Sequence, residues 1–380
     1  MQKILRIATI PLSLSLFCKG QLEAISDNYE VVAISAPGDE LEKLSRREKI
    51  RTIGVSMSRT ISPWKDIISL YRLVNVFRKE KPDMVHSMTP KAGLLAMIAA
   101  RICNVPVRLH SFTGLLFPTA SGAKKKLFAT CDKLICGCAT HILAEGKGVR
   151  NDLLSNSITR KKIEILGHGN VRGIDLEYYK RTPEVMNRGA AIRRELGADN
   201  NTFIFLFVGR LVRDKGIDNL VEAFLNLSKE KENIRLLLVG EYESRDKLKS
   251  STLHSINASP LIFKTGWKED VRHYYAAANL LVHPSRREGF PNVVIEAGAM
   301  ELCSIVTDIN GSNEIIVDGI NGVIIPRDDY EALFNIMKKL CHDKDVSRKM
   351  ASITRQSVAE RFEQEFVRSK LKDYYKEILK

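Results

Sequence analysis

The sequence predicts an α/β fold of two doubly wound parallel-sheet domains facing a central cleft. Three observations predict it. Short apolar runs bounded by turn residues alternate with longer periodic stretches along the chain. A polar segment at residues 178–188, containing Pro183 and Asn187, interrupts the alternation once, after which it restarts. A length of 380 residues accommodates two domains.

The elements follow in order. In the first half the runs at 4–10, 31–35, 84–87, 107–111, 141–144 and 163–167 read as strands, because short apolar runs suit strands buried on both faces. Helical periodicity occupies 64–81, 92–103, 123–138 and 146–155. After the 178–188 linker, strands are expected at 203–208, 235–239, 261–264, 280–282, 304–307 and 322–325, and helices at 217–231, 269–278, 292–300 and 330–341. The charged tail, 345–380, carries Phe362, Phe366, Leu371, Tyr374 and Tyr375 at helical spacing and reads as one or two amphipathic helices. The domains are therefore placed at 1–182 and 183–361, with 362–380 as a closing helix.

Charge is unevenly placed. The net charge is +14; residues 1–185 hold 29 Lys+Arg against 17 Asp+Glu, and the remainder holds 30 against 28. The basic first half suits an anionic partner such as a phosphate or an acidic membrane surface, although solvated surface lysines would give the same count. Nucleic acid is disfavoured, since basic and aromatic residues do not interleave and no finger or winged motif occurs. The seven cysteines show no disulfide rhythm, and Cys136 and Cys138 have no second pair to complete a zinc site, which fits a reducing cytosolic compartment. Lys3 and Arg6 precede an apolar stretch, but Pro11 and hydroxyl residues interrupt it, so it reads as a first strand rather than a signal peptide. No run reaches the ~18 apolar residues of a membrane span, so any membrane contact is expected to be peripheral.

Two segments carry the chemistry. The first is Arg286-Arg287-Glu288-Gly289-Phe290-Pro291-Asn292-Val293-Val294-Ile295-Glu296, which follows a strand and opens a helix. Gly289 permits a close backbone approach, and Pro291 and Asn292 sit where helices begin. The first-turn amides of such a helix attract anions, while Glu288 and Glu296 would accept hydrogen bonds from hydroxyls. The second runs from Gly209-Arg210 to Lys215-Gly216 after the strand at 203–208. Arg210 offers a rigid fork and Lys215 a point charge, both suited to a diphosphate. Capped helices with surface glutamates and a solvated basic loop are the plainer alternatives.

Together these segments resemble the retaining GT-B glycosyltransferases of the glycosyltransferase 4 family. The resemblance implies two Rossmann-like domains and a tail helix returning to the first. It gives Arg210 and Lys215 the donor diphosphate, Glu296 the ribose, Glu288 the donor sugar, and Gly289, Phe290, Pro291, Asn292 and Val293 a backbone cradle. Gly209 would lie close to the donor, and Gly266-Trp267 resembles the segment that meets the base. The stretches from Val85 to Gly93 and from Arg108 to Gly114 resemble bacterial members that build capsule, O-antigen and related glycans on a lipid diphosphate. That places Ser13, Thr89, Lys91 and Gly114 at the acceptor and His110, expected just past a strand end, at the donor sugar as a catalytic residue with Glu288. Pro11 to Gln21 resembles the relatives' first loop.

The resemblance implies a nucleotide-sugar donor, UDP by preference, and a polyprenyl-diphosphate-linked saccharide acceptor. The Arg, Lys and helix end take the place of a metal, so no metal and no cofactor is expected. The implied location is the inner face of the cytoplasmic membrane, held by peripheral contact. Two other readings remain: a non-hydrolysing sugar-nucleotide 2-epimerase, and a same-family transferase with a soluble acceptor.

Overall fold

The computed structural model describes every residue of the chain except Arg59, Ile61 and Arg245. Two compact units form: Met1–Gly173 with Gln364–Lys380, and Ile174–Glu363. Each is built on a six-stranded, wholly parallel sheet.

In the first unit the strands are β1 (Lys3–Ile7), β2 (Glu30–Ser35), β3 (Arg51–Gly54), β4 (Met84–Met88), β5 (Val107–Phe112) and β6 (His141–Ala144), in the spatial order β3-β2-β1-β4-β5-β6. Side chains alternate faces along a strand, and here both faces are buried. Leu5, Ile7, Val32, Ile34 and Val85 pack into one core. Ile4, Val31, Ala33, Met84 and Leu109 pack into the other, which the closing helix Gln364–Ile378 covers with Leu371 and Tyr375. Beneath that helix, Tyr375 Oη lies 2.5 Å from both Arg6 Nη1 and His86 Nδ1, and all three side chains are buried. Burial pushes the Tyr375 hydroxyl up to about 12, so it stays protonated.

The second unit repeats the plan with β7 (Phe203–Val208), β8 (Ile234–Val239), β9 (Ile262–Lys264), β10 (Leu280–His283), β11 (Ser304–Thr307) and β12 (Gly322–Ile325), in the order β12-β11-β10-β7-β8-β9. Phe203, Phe205 and Phe207 enter one core with Phe224, and Ile204, Leu206 and Val208 enter the other. Burying each such side chain is worth on the order of 2–3 kcal/mol. Both sheets reverse direction at the same place, between β1 and β4 and between β7 and β10. In doubly wound sheets this switch point opens a crevice at the carboxyl ends of the strands.

The structure departs from the expected elements at definite places. The units divide at Gly173/Ile174 and Glu363/Gln364 rather than at 182/183 and 361/362. Ile174 N–H donates to the Phe362 carbonyl at 2.8 Å, and Ile174 and Tyr179 are buried in the second unit's core. The segment taken for a linker is largely the start of the helix Pro183–Glu195. Thr182 Oγ1 caps it by accepting from Val185 N–H at 3.3 Å, and Pro183 occupies its first position, where a proline starts a helix. Residues 163–167 form no strand; Glu164 alone bridges Leu143. The stretch from Pro11 is the helix Pro11–Phe17 rather than a loop.

Candidate functional site

The site is built on the two switch-point strands of the second unit. β7 leads into the loop holding Gly209, Arg210 and Lys215, and β10 leads into the loop holding Glu288 and Gly289. Because β7 and β10 are neighbours, residues far apart in sequence meet. Lys215 Nζ forms an ion pair with Glu288 Oε1, both side chains being only slightly exposed. The same carboxylate oxygen lies 2.7 Å from His283 Nε2, and His283 stacks parallel to Phe207 with ring centroids 5.8 Å apart. Burial alone would push the Glu288 carboxyl up. Lys215 and His283 outweigh it and hold the group well below the usual carboxylate range. Glu288 is therefore ionised and can only accept, which puts a proton on His283 Nε2.

Asp214 fastens the two loops together. Its carbonyl accepts from Arg286 N–H at 2.8 Å and Ser285 Oγ at 3.2 Å, and its carboxylate meets Arg287 Nη2 at 2.6 Å. Its own N–H donates to Asp246 Oδ2 at 2.7 Å, which adds the loop after β8. Gly216 ends the first loop at φ +71°, and a Cβ there would overlap the Pro284 carbonyl oxygen. Gly216→Ala would thus strain the backbone by about 1–3 kcal/mol and push apart the strand ends that carry Lys215 and Glu288. A lowered unfolding midpoint, followed by circular dichroism, is expected. A midpoint equal to the parent's would show that the loops do not need this close approach.

The helix Asn292–Ala299 starts immediately after Pro291, its N-cap residue. Glu296 on it is buried, and Tyr275 Oη donates to its Oε2 at 3.1 Å. Gly311 packs beneath the preceding turn: a Cβ on it would come within 2.6 Å of Phe290 Cα and 2.9 Å of Pro291 Cδ. The Phe290 ring belongs to the core, edge-on to Phe362 at 5.5 Å, so only its backbone can serve a ligand. Arg210 reaches Glu243 Oε2 at 2.7 Å in the loop after β8, and its side chain is exposed. Gly266 bridges Gly240, and Trp267 follows with its N–H donating to Glu241 Oε1 at 3.1 Å and its ring exposed.

The first unit has a cavity at its own switch point. It measures about 400 Å³ and is lined by Thr9, Ser13, Asp66, Thr89 and Lys91 on its polar side and by Leu94, Leu116, Leu127 and Phe128 on its apolar side. Thr9 and Thr89 hydroxyls bond across the switch at 2.9 Å, and Lys91 Nζ pairs with Asp66 at 2.5 Å. Ser13, Thr89 and Lys91 thus gather around one space, whereas Gly114 is not among its lining residues. His110 lies within β5 rather than past its end, since strand pairing continues to Phe112 opposite Ala144. It is fully buried, bonds Ser87 Oγ through Nδ1 at 2.8 Å, and is held neutral by burial at about 3. Among the described residues no helix is long and apolar enough to cross a membrane, and no cluster of three or more His, Cys, Asp or Glu side chains is placed to hold a metal ion.

The linear sequence assigns no role to His283, Asp214, Asp66 or Tyr275. The position of His283 at a strand end five residues before Glu288 was the available signal; the partners of the others depend on strand order.

Comparison with known proteins fits this architecture. Residues 190–357 match the family model for glycosyl transferases group 1, and residues 21–169 match that for a glycosyl transferase 4-like domain. The chain is 30% identical over 381 residues, covering 100% of itself and 98% of the relative, to the capsular polysaccharide biosynthesis glycosyltransferase CapM of Staphylococcus aureus. It is 28% identical over 293 residues, 76% of this chain and 74% of the relative, to an Escherichia coli UDP-Gal:alpha-D-GlcNAc-diphosphoundecaprenol alpha-1,3-galactosyltransferase. In fold it is similar to Anabaena HepE, solved in complex with UDP, with a TM-score of 0.82 at 18% identity over 99% of this chain and 100% of that one. WaaG, a glycosyltransferase involved in lipopolysaccharide biosynthesis, gives a TM-score of 0.75 at 16% identity over 98% and 99%. The chain, with two parallel α/β sheets of matching strand order, belongs to the glycosyl transferases group 1 family and has the GT-B fold.

Proposed function

We propose that this glycosyltransferase moves a sugar from a nucleotide sugar, with UDP as the carrier, to a polyprenyl-diphosphate-linked saccharide during assembly of a bacterial surface polysaccharide. The observation that carries the donor half is the Lys215–Glu288 pair at the switch point, close in sequence to the start of the helix Asn292–Ala299. Lys215, Arg210 and the first-turn amides near Asn292 would neutralise the leaving diphosphate, fixed charges already in position before charge develops. Glu288 would hold a donor-sugar hydroxyl and Glu296 a ribose hydroxyl. Gly209, Gly266, Trp267, Gly289, Phe290, Pro291 and Val293 would frame the nucleotide sugar through backbone and ring contacts.

The acceptor half rests on the first unit's cavity, where a cation and hydroxyls stand beside an apolar wall, as a phosphorylated amphiphile requires. It also draws on the lipid-diphosphate acceptor in the name of the E. coli relative and the capsule role in the name of the S. aureus one. His110, neutral at working pH, would serve as a hydrogen-bonding group toward the sugar. Retention of anomeric configuration is part of the proposal, by attack on the face the diphosphate leaves, and the inner face of the cytoplasmic membrane is the proposed place.

The test is a panel of nucleotide sugars, screened by thermal shift and then by turnover on a lipid-diphosphate saccharide. Donor conversion without acceptor would mark an epimerase, and transfer only to free sugars would mark a soluble-acceptor enzyme. Turnover is expected to be unchanged by excess EDTA, because side-chain cations and amide dipoles take the metal's part. Activity abolished by EDTA and restored by a divalent ion would refute that.

A further inference from the structure

Among the described residues, two charged side chains line the first unit's cavity, Asp66 and Lys91, and they pair with each other. They come from different helices, Pro63–Glu80 and Pro90–Ile102, and each stays partly exposed. Cys131, also in the wall, adds no charge, because burial pushes its thiol up.

Hydroxyls complete the polar side. Thr9 N–H donates to Thr89 Oγ1 at 3.2 Å, and Ala92 N–H donates to Thr9 Oγ1 at 3.3 Å. One of the two hydroxyls spends its proton on the other, which leaves a single O–H hydrogen uncommitted at the cavity. Thr89 holds this place at φ +74°, a conformation costly for a β-branched residue and one that collects at ligand sites.

The Asp66–Lys91 pair treats two kinds of lipid phosphate differently. A bare one that reaches Lys91 takes it from Asp66, and the carboxylate is left beside a second anion with nothing to accept. A phosphate that carries a sugar brings a hydroxyl as well. Its oxygen meets Lys91 while the hydroxyl donates to Asp66, so both halves of the opened pair regain a partner. The sugar's carbon face then has Leu127 and Phe128 to lie against.

We infer that Asp66 is a specificity-determining residue of the acceptor site. It accepts a hydroxyl of the acceptor sugar while Lys91 holds a phosphate oxygen, and it thereby selects sugar-bearing lipid diphosphates over bare ones. The inference rests on the lipid-linked acceptor reading of this cavity. It adds the means by which the enzyme tells its acceptor from a sugar-free lipid with the same head charge.

The experiment is calorimetry of the full chain with farnesyl diphosphate, bare or bearing N-acetylglucosamine, glucose or galactose. The parent should bind at least one sugar-bearing ligand about tenfold more tightly than the bare one, the worth of a hydrogen bond to a charged group. In Asp66→Ala the two should move in opposite directions: the bare lipid about fivefold tighter, the sugar-bearing one about tenfold weaker. Asp66→Asn keeps an oxygen without the charge. It should gain the bare lipid equally and lose less of the sugar-bearing one, and it carries the comparison if the alanine variant does not fold by circular dichroism. Both ligands weakening together would show a merely structural aspartate and overturn the inference. So would a parent that binds bare and sugar-bearing lipids alike, and in either case the acceptor reading stands. A parent that binds none of the four lipids removes the acceptor reading, and the inference with it.

Discussion

Lys215→Ala is expected to lower kcat/KM by about 10³-fold, the scale of losing one preorganised charge at a transition state. The lysine is held in place on three sides: by Glu288, by the Asp214 clamp, and by Gly216 against Pro284. On the proposed reading its charge therefore needs no reorganisation when a diphosphate departs. The same substitution should weaken binding of UDP measured by calorimetry, since the nucleotide loses a cation.

The variant should also change the response to acid. Glu288 is held below its ordinary value of 4.5 in the folded chain. A carboxyl depressed in this way contributes stability at pH values above 4.5, and loses it as pH falls toward the folded-state value. With Lys215 gone the depression shrinks, so the parent's thermal advantage should be full near neutrality and fade below about pH 4.5. An advantage that grows in acid would contradict the ion pair. Activity within tenfold of the parent in a folded variant would remove Lys215 from the chemistry.

How far the sequence carries depends on what each residue answers to. The strand Phe203–Val208 is legible to its ends because six apolar residues in a row are buried on both faces. The edge strand Arg51–Gly54 is not, because a strand paired on one side alone tolerates Arg51 and Thr52 and loses its apolar signature. Pro183 reads as a break in a linear scan, yet it opens a helix once Thr182 caps it. At the site, Gly209, Arg210, Lys215 and Glu288 stand out by residue type in the loops that follow β7 and β10, and Glu296 on the helix after the second loop. That Lys215 meets Glu288, 73 positions away, follows only from β7 lying beside β10. His110 shows the converse limit: it lies inside β5 and not past its end, because β4 pairs with β5 through Ser111 and β6 through Phe112.

Glu288→Gln separates binding from turnover at the same pair. On the proposed donor reading, a diphosphate competes with the Glu288 carboxylate for Lys215 in the parent. Glutamine keeps the shape and still offers an oxygen to His283 Nε2, but carries no charge. UDP should then bind about fivefold more tightly, the equivalent of about 1 kcal/mol of lost competition. Transfer should fall about 10²-fold all the same, because the donor sugar loses its charged acceptor and its orientation with it. Calorimetry with UDP and initial rates with the nucleotide sugar read the two effects separately. Tighter UDP with slower transfer is the signature of a carboxylate that positions the sugar while restraining the lysine. Weaker UDP in Glu288→Gln would mean that the carboxylate props Lys215 toward the diphosphate, and that the pair works as one binding group.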